Sequence, residues 1–299
     1  MEINDFAEKV CAAVKEELGR KYKAEVKEVR KNNGILLHGL LISSKEQNVV
    51  PTIYLESFWE AYESGLSFEE VIRRLLCVYR RDTPQGSVDM DFFRHYEKVK
   101  DRVCFRLIGR SGNEELLKEI PYIEFLDMAV CFYYAYQGKS LGDGSILIHH
   151  FHRKLWGVSA EDLFRQAQVN TPKLFPWECT ALDEVLKEIT GDDLFDREPS
   201  MPEPFPMKVL SNRQKVHGAS SILYPGVLER LAAREGCNFY ILPSSIHEVL
   251  LLPDKEEISA DELKQMIFVV NSTQVAPDEV LTDNLYYYDV IKKEVVIVQ

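Results

Sequence analysis

Phe239-Tyr240-Ile241-Leu242 and Val249-Leu250-Leu251-Leu252, separated by Pro243-Ser244-Ser245-Ile246-His247, decide how the last third of this chain is read. Two apolar runs of strand length around a turn rich in Pro and Ser form a hairpin. Toward the N-terminus, Ser221 to Glu235 sets Ile222, Leu223, Val227, Leu228 and Leu231 on one helical face and stops at Gly236. Met207 to Leu210 is strand-like before it. Toward the C-terminus, Ser259-x-x-Glu262 opens a helix through Val270, and Leu285 to Asp289 pairs with Glu294 to Val298 across Val290 to Lys293. The order strand, helix, strand, strand, helix, strand predicts a ferredoxin-like βαββαβ unit over residues 207–299.

Upstream, Phe6, Val10, Ala13, Val14 and Leu18 fall at helical spacing, and Gly19 follows as a stop. Ala24 to Arg30 and Ile35 to Ile42 read as a hairpin around Asn32-Asn33-Gly34, because Asn-Gly supplies the positive φ angles of a tight turn. A short strand, Thr52 to Leu55, and a helix capped by Ser67 follow. Arg102 to Leu107 alternates as a half-buried strand, Tyr122 to Tyr136 is a covered apolar run, and Ser145 to Ile148 reads as its hairpin partner. Ser159 caps a helix that is predicted to stop at Asn170-Thr171-Pro172, and Thr180-x-x-Asp183 opens another. Between Gly191 and Pro206, four prolines (Pro199, Pro202, Pro204, Pro206) and a cluster of acids suit an extended linker. The expectation is therefore an α+β chain: a mixed N-terminal domain over 1–190, a linker over 191–206, and the βαββαβ domain.

The 299 residues carry a formal charge of −12 with a pI near 5.2. Such a surface repels a nucleic-acid backbone, so general binding to nucleic acid is not expected. The opening Met-Glu-Ile-Asn-Asp lacks the basic and apolar regions of a secretory signal, and no apolar run reaches the roughly 20 residues that span a bilayer. The six cysteines are far apart and form no CxxC pair, which reads as free thiols in a reducing cytoplasm.

Chemistry-bearing residues are sparse. Ser244-Ser245-Ile246-His247-Glu248 places hydroxyl, imidazole and carboxylate within one turn, so Ser245 as nucleophile and His247 as base are the catalytic candidates of an unrecognised hydrolase or transferase. No strained elbow or Gly-rich oxyanion loop accompanies them. His149-His150-Phe151-His152 lacks further ligands at motif spacing, and no metal or cofactor is expected. Arg73 to Arg110 holds ten basic residues against five acids, a local net of +5, in which Arg73, Arg74, Arg80 and Arg81 are candidate contacts for an acidic partner. That island with Tyr287 as a stacking face would serve a nucleic-acid alternative. Arg213, Ser244 and Asn271 complete the candidate binding residues.

Several strings resemble an uncharacterised bacterial family of unknown function, found mainly in anaerobic gut Gram-positives. They are Asn32-Asn33-Gly34, Pro51-Thr52-Ile53-Tyr54-Leu55, Trp156-Gly157-Val158-Ser159, Asn170-Thr171-Pro172, Tyr224-Pro225-Gly226, Ile241 to Glu248, and Tyr286-Tyr287-Tyr288-Asp289. The resemblance spans nearly the whole chain and implies no reaction. The leading expectation is a cytoplasmic, non-enzymatic interaction or regulatory protein whose partner is another protein.

Overall fold

The computed structural model describes residues 1–47, 50–83, 91–138, 142–190, 207–243, 245–255 and 258–299. It is α+β, with two compact units: 1–94 with 136–145, and 95–135 with 146–299. The expected linker at 191–206 lies outside the described residues. Among the described residues, no helix is long and apolar enough to cross a membrane.

In the first unit, α1 (Ile3–Leu18) ends at Gly19, whose φ of 75° takes the chain out of the helix. The hairpin of β1 (Tyr22–Arg30) and β2 (Leu36–Ser44) turns through Asn33 (φ 57°) and Gly34 (φ 70°), as Asn-Gly predicts. β3 (Thr52–Tyr54) completes an antiparallel sheet in the order β1-β2-β3. α2 (Glu56–Glu63) and α3 (Phe68–Asp82) follow, with Ser67 Oγ accepting the Glu70 N–H at 3.3 Å as the N-cap of α3. Phe6, Val10 and Val14 of α1 and Val71 and Leu75 of α3 are all fully buried in one core with Leu40.

The second unit opens with α4 (Tyr96–Val99), β4 (Val103–Gly109) and α5 (Glu114–Leu117). The apolar run expected as one strand is instead a hairpin of β5 (Tyr122–Phe125) and β6 (Met128–Gly138). Its turn is set by Leu126 in the left-handed region (φ 56°) and by Asp127, which accepts from Thr282, Asn284 and Tyr286. Strand order is β4-β6-β5, with β7 (Gly142–Leu147) also on β6 as expected of its hairpin partner. α6 (His150–Trp156) and α7 (Ala160–Leu174) come next. α7 runs through Pro172 rather than stopping before it, because Asn170 and Thr171 are held by β4: Thr171 Oγ1 accepts the Phe105 N–H at 3.1 Å, and Asn170 Nδ2 donates to Val103 O at 2.9 Å.

The remaining elements are β8 (Trp177–Ala181), α8 (Leu182–Thr190), β9 (Lys208–Asn212), a 3-10 turn at Gly218–Leu223 and α9 (Val227–Glu235). They continue with β10 (Phe239–Leu242), β11 (Val249–Pro253), α10 (Ala260–Thr273), β12 (Tyr286–Asp289) and β13 (Glu294–Ile297). Pro225 and Gly226 divide the helix expected over 221–235 into the 3-10 turn and α9. The helix expected to open at Thr180 begins two residues later, because Thr180 is paired with Val209 in the sheet.

All six strands of this sheet are antiparallel to their neighbours, in the order β13-β12-β10-β11-β9-β8. β9 and β10 therefore run parallel with β11 between them, a split βαβ as predicted. The ferredoxin-like order is corrected at the fourth strand. That order would put β12 beside β9, but β8 occupies that edge and β12 lies beside β10. Leu263 and Ile267 of α10 pack on Met207, Leu242, Leu252 and Leu285 to form the core on one face.

Candidate functional site

The 3-10 turn at Gly218–Leu223 and the turn after β10 meet behind the end of β9. Gly218 is required there: a Cβ would lie 2.1 Å from Ser211 Oγ and 2.4 Å from His247 O. His217, immediately before it, is held at φ 53°, a left-handed conformation that a non-glycine residue adopts at a cost. This puts its ring parallel to that of His247, 5.8 Å between centroids at 10°, and edge-on to Tyr133 at 5.6 Å.

Arg106 reaches the same place from β4, where it faces Cys131 of β6 across the ladder. Its Nη1 lies 3.4 Å from His217 Nε2. Arginine only donates, so this contact fixes the His217 proton on Nδ1. The His217 backbone N–H in turn donates to His247 Nδ1 at 3.2 Å, leaving the His247 proton on Nε2, 3.4 Å from Glu279 Oε1. The His217 imidazole is thereby neutral. Burial, Arg106 and His247 together push His217 down to about 3, and burial lowers Arg106. Among the described residues no carboxylate pairs with Arg106, and Arg106 Nε and His217 Nδ1 are buried with no partner.

Ser245 and His247 are neighbours in this turn without forming a nucleophile and base. Ser245 is buried, and its Oγ accepts from the backbone N–H groups of His247 (2.9 Å) and Glu248 (3.3 Å) and donates to Glu248 Oε1 (3.2 Å). The His247 ring nitrogens face His217 and Glu279 instead. The hydroxyl is a turn cap, and the catalytic pairing read from sequence is corrected accordingly. Ser244 lies outside the described residues. Arg213 is exposed just past β9, and Asn271 donates from α10 to Thr282 O and Asp283, so neither takes part in bonds at this centre. Tyr287 donates to Asp254 at 2.6 Å, accepts from Asn238 at 2.7 Å and packs edge-on against Tyr240.

The basic island divides between the units. Arg73 and Arg74 both bind Glu70, whose carboxyl they hold down to about 2, and Arg81 binds Asp82. Arg80 instead borders an open groove of about 420 Å³ between α1 and α3. Its apolar floor is Ala13, Phe68, Ile72 and Leu76, with Glu16 and Glu17 along α1 and Glu69, Arg73 and Arg80 along α3. The histidines at 149–152 form a helix start rather than a ligand set: His152 Nδ1 accepts the His149 N–H at 3.0 Å and its ring stacks on Trp156.

A family model described as a family of unknown function, DUF5688, matches residues 3–290. The chain belongs to this family. No curated protein and no solved structure matches this DUF5688 chain. Sequence reasoning missed Arg106 and His217 as a pair. The visible signal was a guanidinium within the otherwise apolar Val103-Cys104-Phe105-Arg106-Leu107-Ile108, a strand covered on both faces.

Proposed function

We propose that this DUF5688 protein is a non-enzymatic regulatory protein that docks another protein in the groove between α1 and α3. The observation that carries the reading is an apolar floor between an acidic rim, Glu16 and Glu17, and a mixed rim on which Arg73 and Arg80 outnumber Glu69. Apolar anchors supply affinity, and charged rims fix the direction in which a partner helix lies. The Arg73–Glu70 ion pair is exposed to solvent, so a partner's carboxylate exchanges for Glu70 at little cost. A cytoplasmic setting is supported by six free thiols, and a bacterial origin by the family-like strings. The Ser245 geometry gives the hydrolase alternative no support, and the acidic balance gives the nucleic-acid alternative none.

The test places a photo-crosslinking amino acid at Ala13, in the groove, or at Lys27, on exposed β1, and irradiates the native cells. A discrete protein adduct is expected from position 13 and not from 27. Adding Glu16→Lys with Glu17→Lys is expected to weaken it at least about tenfold. Identical adducts from both positions would sink the reading.

A further inference from the structure

We propose that Arg106 and His217 hold a compact oxyanion, the carboxylate or phosphate group of a small ligand, where β4 meets the turn before Gly218. This site lies in the second unit and stands independently of the groove reading.

Three costs coincide at this point. A largely buried guanidinium without a carboxylate is a poorly compensated charge, and arginine does not escape by losing its proton. Two buried polar atoms, Arg106 Nε and His217 Nδ1, have no partner, against the general rule that buried polar groups are bonded. The residue that brings the second of them here sits at φ 53°. Strained backbone clusters at active sites and ligand clamps.

The chemistry of the missing partner follows from the proton positions. Arg106 Nε is always a donor, and the contact of Arg106 Nη1 with His217 Nε2 makes Nδ1 a donor as well. Every unmet group is therefore an N–H, which excludes a cation and calls for an acceptor with several lone pairs. Arg106 Nε belongs to the same guanidinium, and His217 Nδ1 to the same ring, as the Arg106–His217 contact. A carboxylate or phosphate suits the planar fork of Arg106, which bonds such groups bidentately. Glu279 lies 3.4 Å from His247 Nε2 and so has a partner there. Arg106 and His217 both retain partial exposure, so the centre is not sealed from solvent.

The experiment is calorimetric titration of the dialysed full chain with inorganic phosphate and with acetate, at constant ionic strength held by chloride, alongside Arg106→Met. Saturable binding of phosphate or acetate that disappears in Arg106→Met is expected, and which anion binds distinguishes a phosphate ester from a carboxylate ligand. If Arg106→Met fails to fold, Arg106→Lys keeps the charge but loses the fork, with binding expected to weaken at least about tenfold. Absence of binding by both anions, or binding that survives in these variants, would overturn the proposal. Glu16→Lys with Glu17→Lys is expected to leave anion binding unchanged, so the fate of the groove reading is told apart from that of this one.

Discussion

His217 is asked to be neutral where a free imidazole is half-protonated near pH 6.5. Burial, Arg106 and His247 lower it to about 3, and Tyr133 and His247 pack against its ring while Glu279 binds the far side of His247. Between about 3 and 6.5 the unfolded chain takes up a proton that the folded chain refuses, so stability rises with pH across that window and falls on acidification. Urea unfolding from pH 7 to pH 4.5 is expected to show this loss, and His217→Asn to flatten the slope. An unchanged slope in the variant would show that other groups carry the acid response. Asp127 adds to the loss only at lower pH: burial raises its carboxyl, but bonds from Thr282, Tyr286 and Asn284 outweigh this and hold it below its ordinary value.

At the scale of elements, β4 is an edge strand whose outer N–H groups are met by side chains. Thr171 Oγ1 takes the Phe105 N–H and Ser220 Oγ takes the Leu107 N–H at 3.2 Å. Ser220→Ala leaves a buried amide unpaired and is expected to cost about 1–3 kcal/mol, with faster hydrogen exchange at Leu107. Exchange that is unaltered at Leu107 would count against this account. The elements themselves were largely legible, because the Asn33-Gly34 turn and the caps at Ser67, Ser159 and Ser259 are decided by neighbouring residues. What stayed hidden depends on residues far apart in sequence. α7 continues through Pro172 because β4 holds it, and β12 goes to the far side of β10 because β8 has taken the edge. The Arg106–His217 contact spans 111 positions, and no local pattern announces it.

At the scale of the whole molecule, the compact units do not follow the composition. The proline-rich acidic stretch at 191–206 looked like a domain boundary, yet β8 before it and β9 after it are partners in one sheet, from Trp177 opposite Asn212 to Ala181 opposite Lys208. Composition reports where a chain is easily extended, whereas a boundary is set by which surfaces are buried together.

That shared sheet makes the polypeptide divisible without being separable. A protease site placed within 191–206 and cleaved is expected to leave two pieces that elute as one species, joined by the β8–β9 ladder and the core beside it. Dissociation on cleavage would show the ladder too weak to hold them. Residues 207–299 produced alone would instead present the bare edge of β9, the template on which strands of separate chains pair, and are expected to aggregate. Supplying residues 1–190 in the same tube should rescue that fragment, turning a single chain into a two-part reporter whose reassembly can be read by mixing.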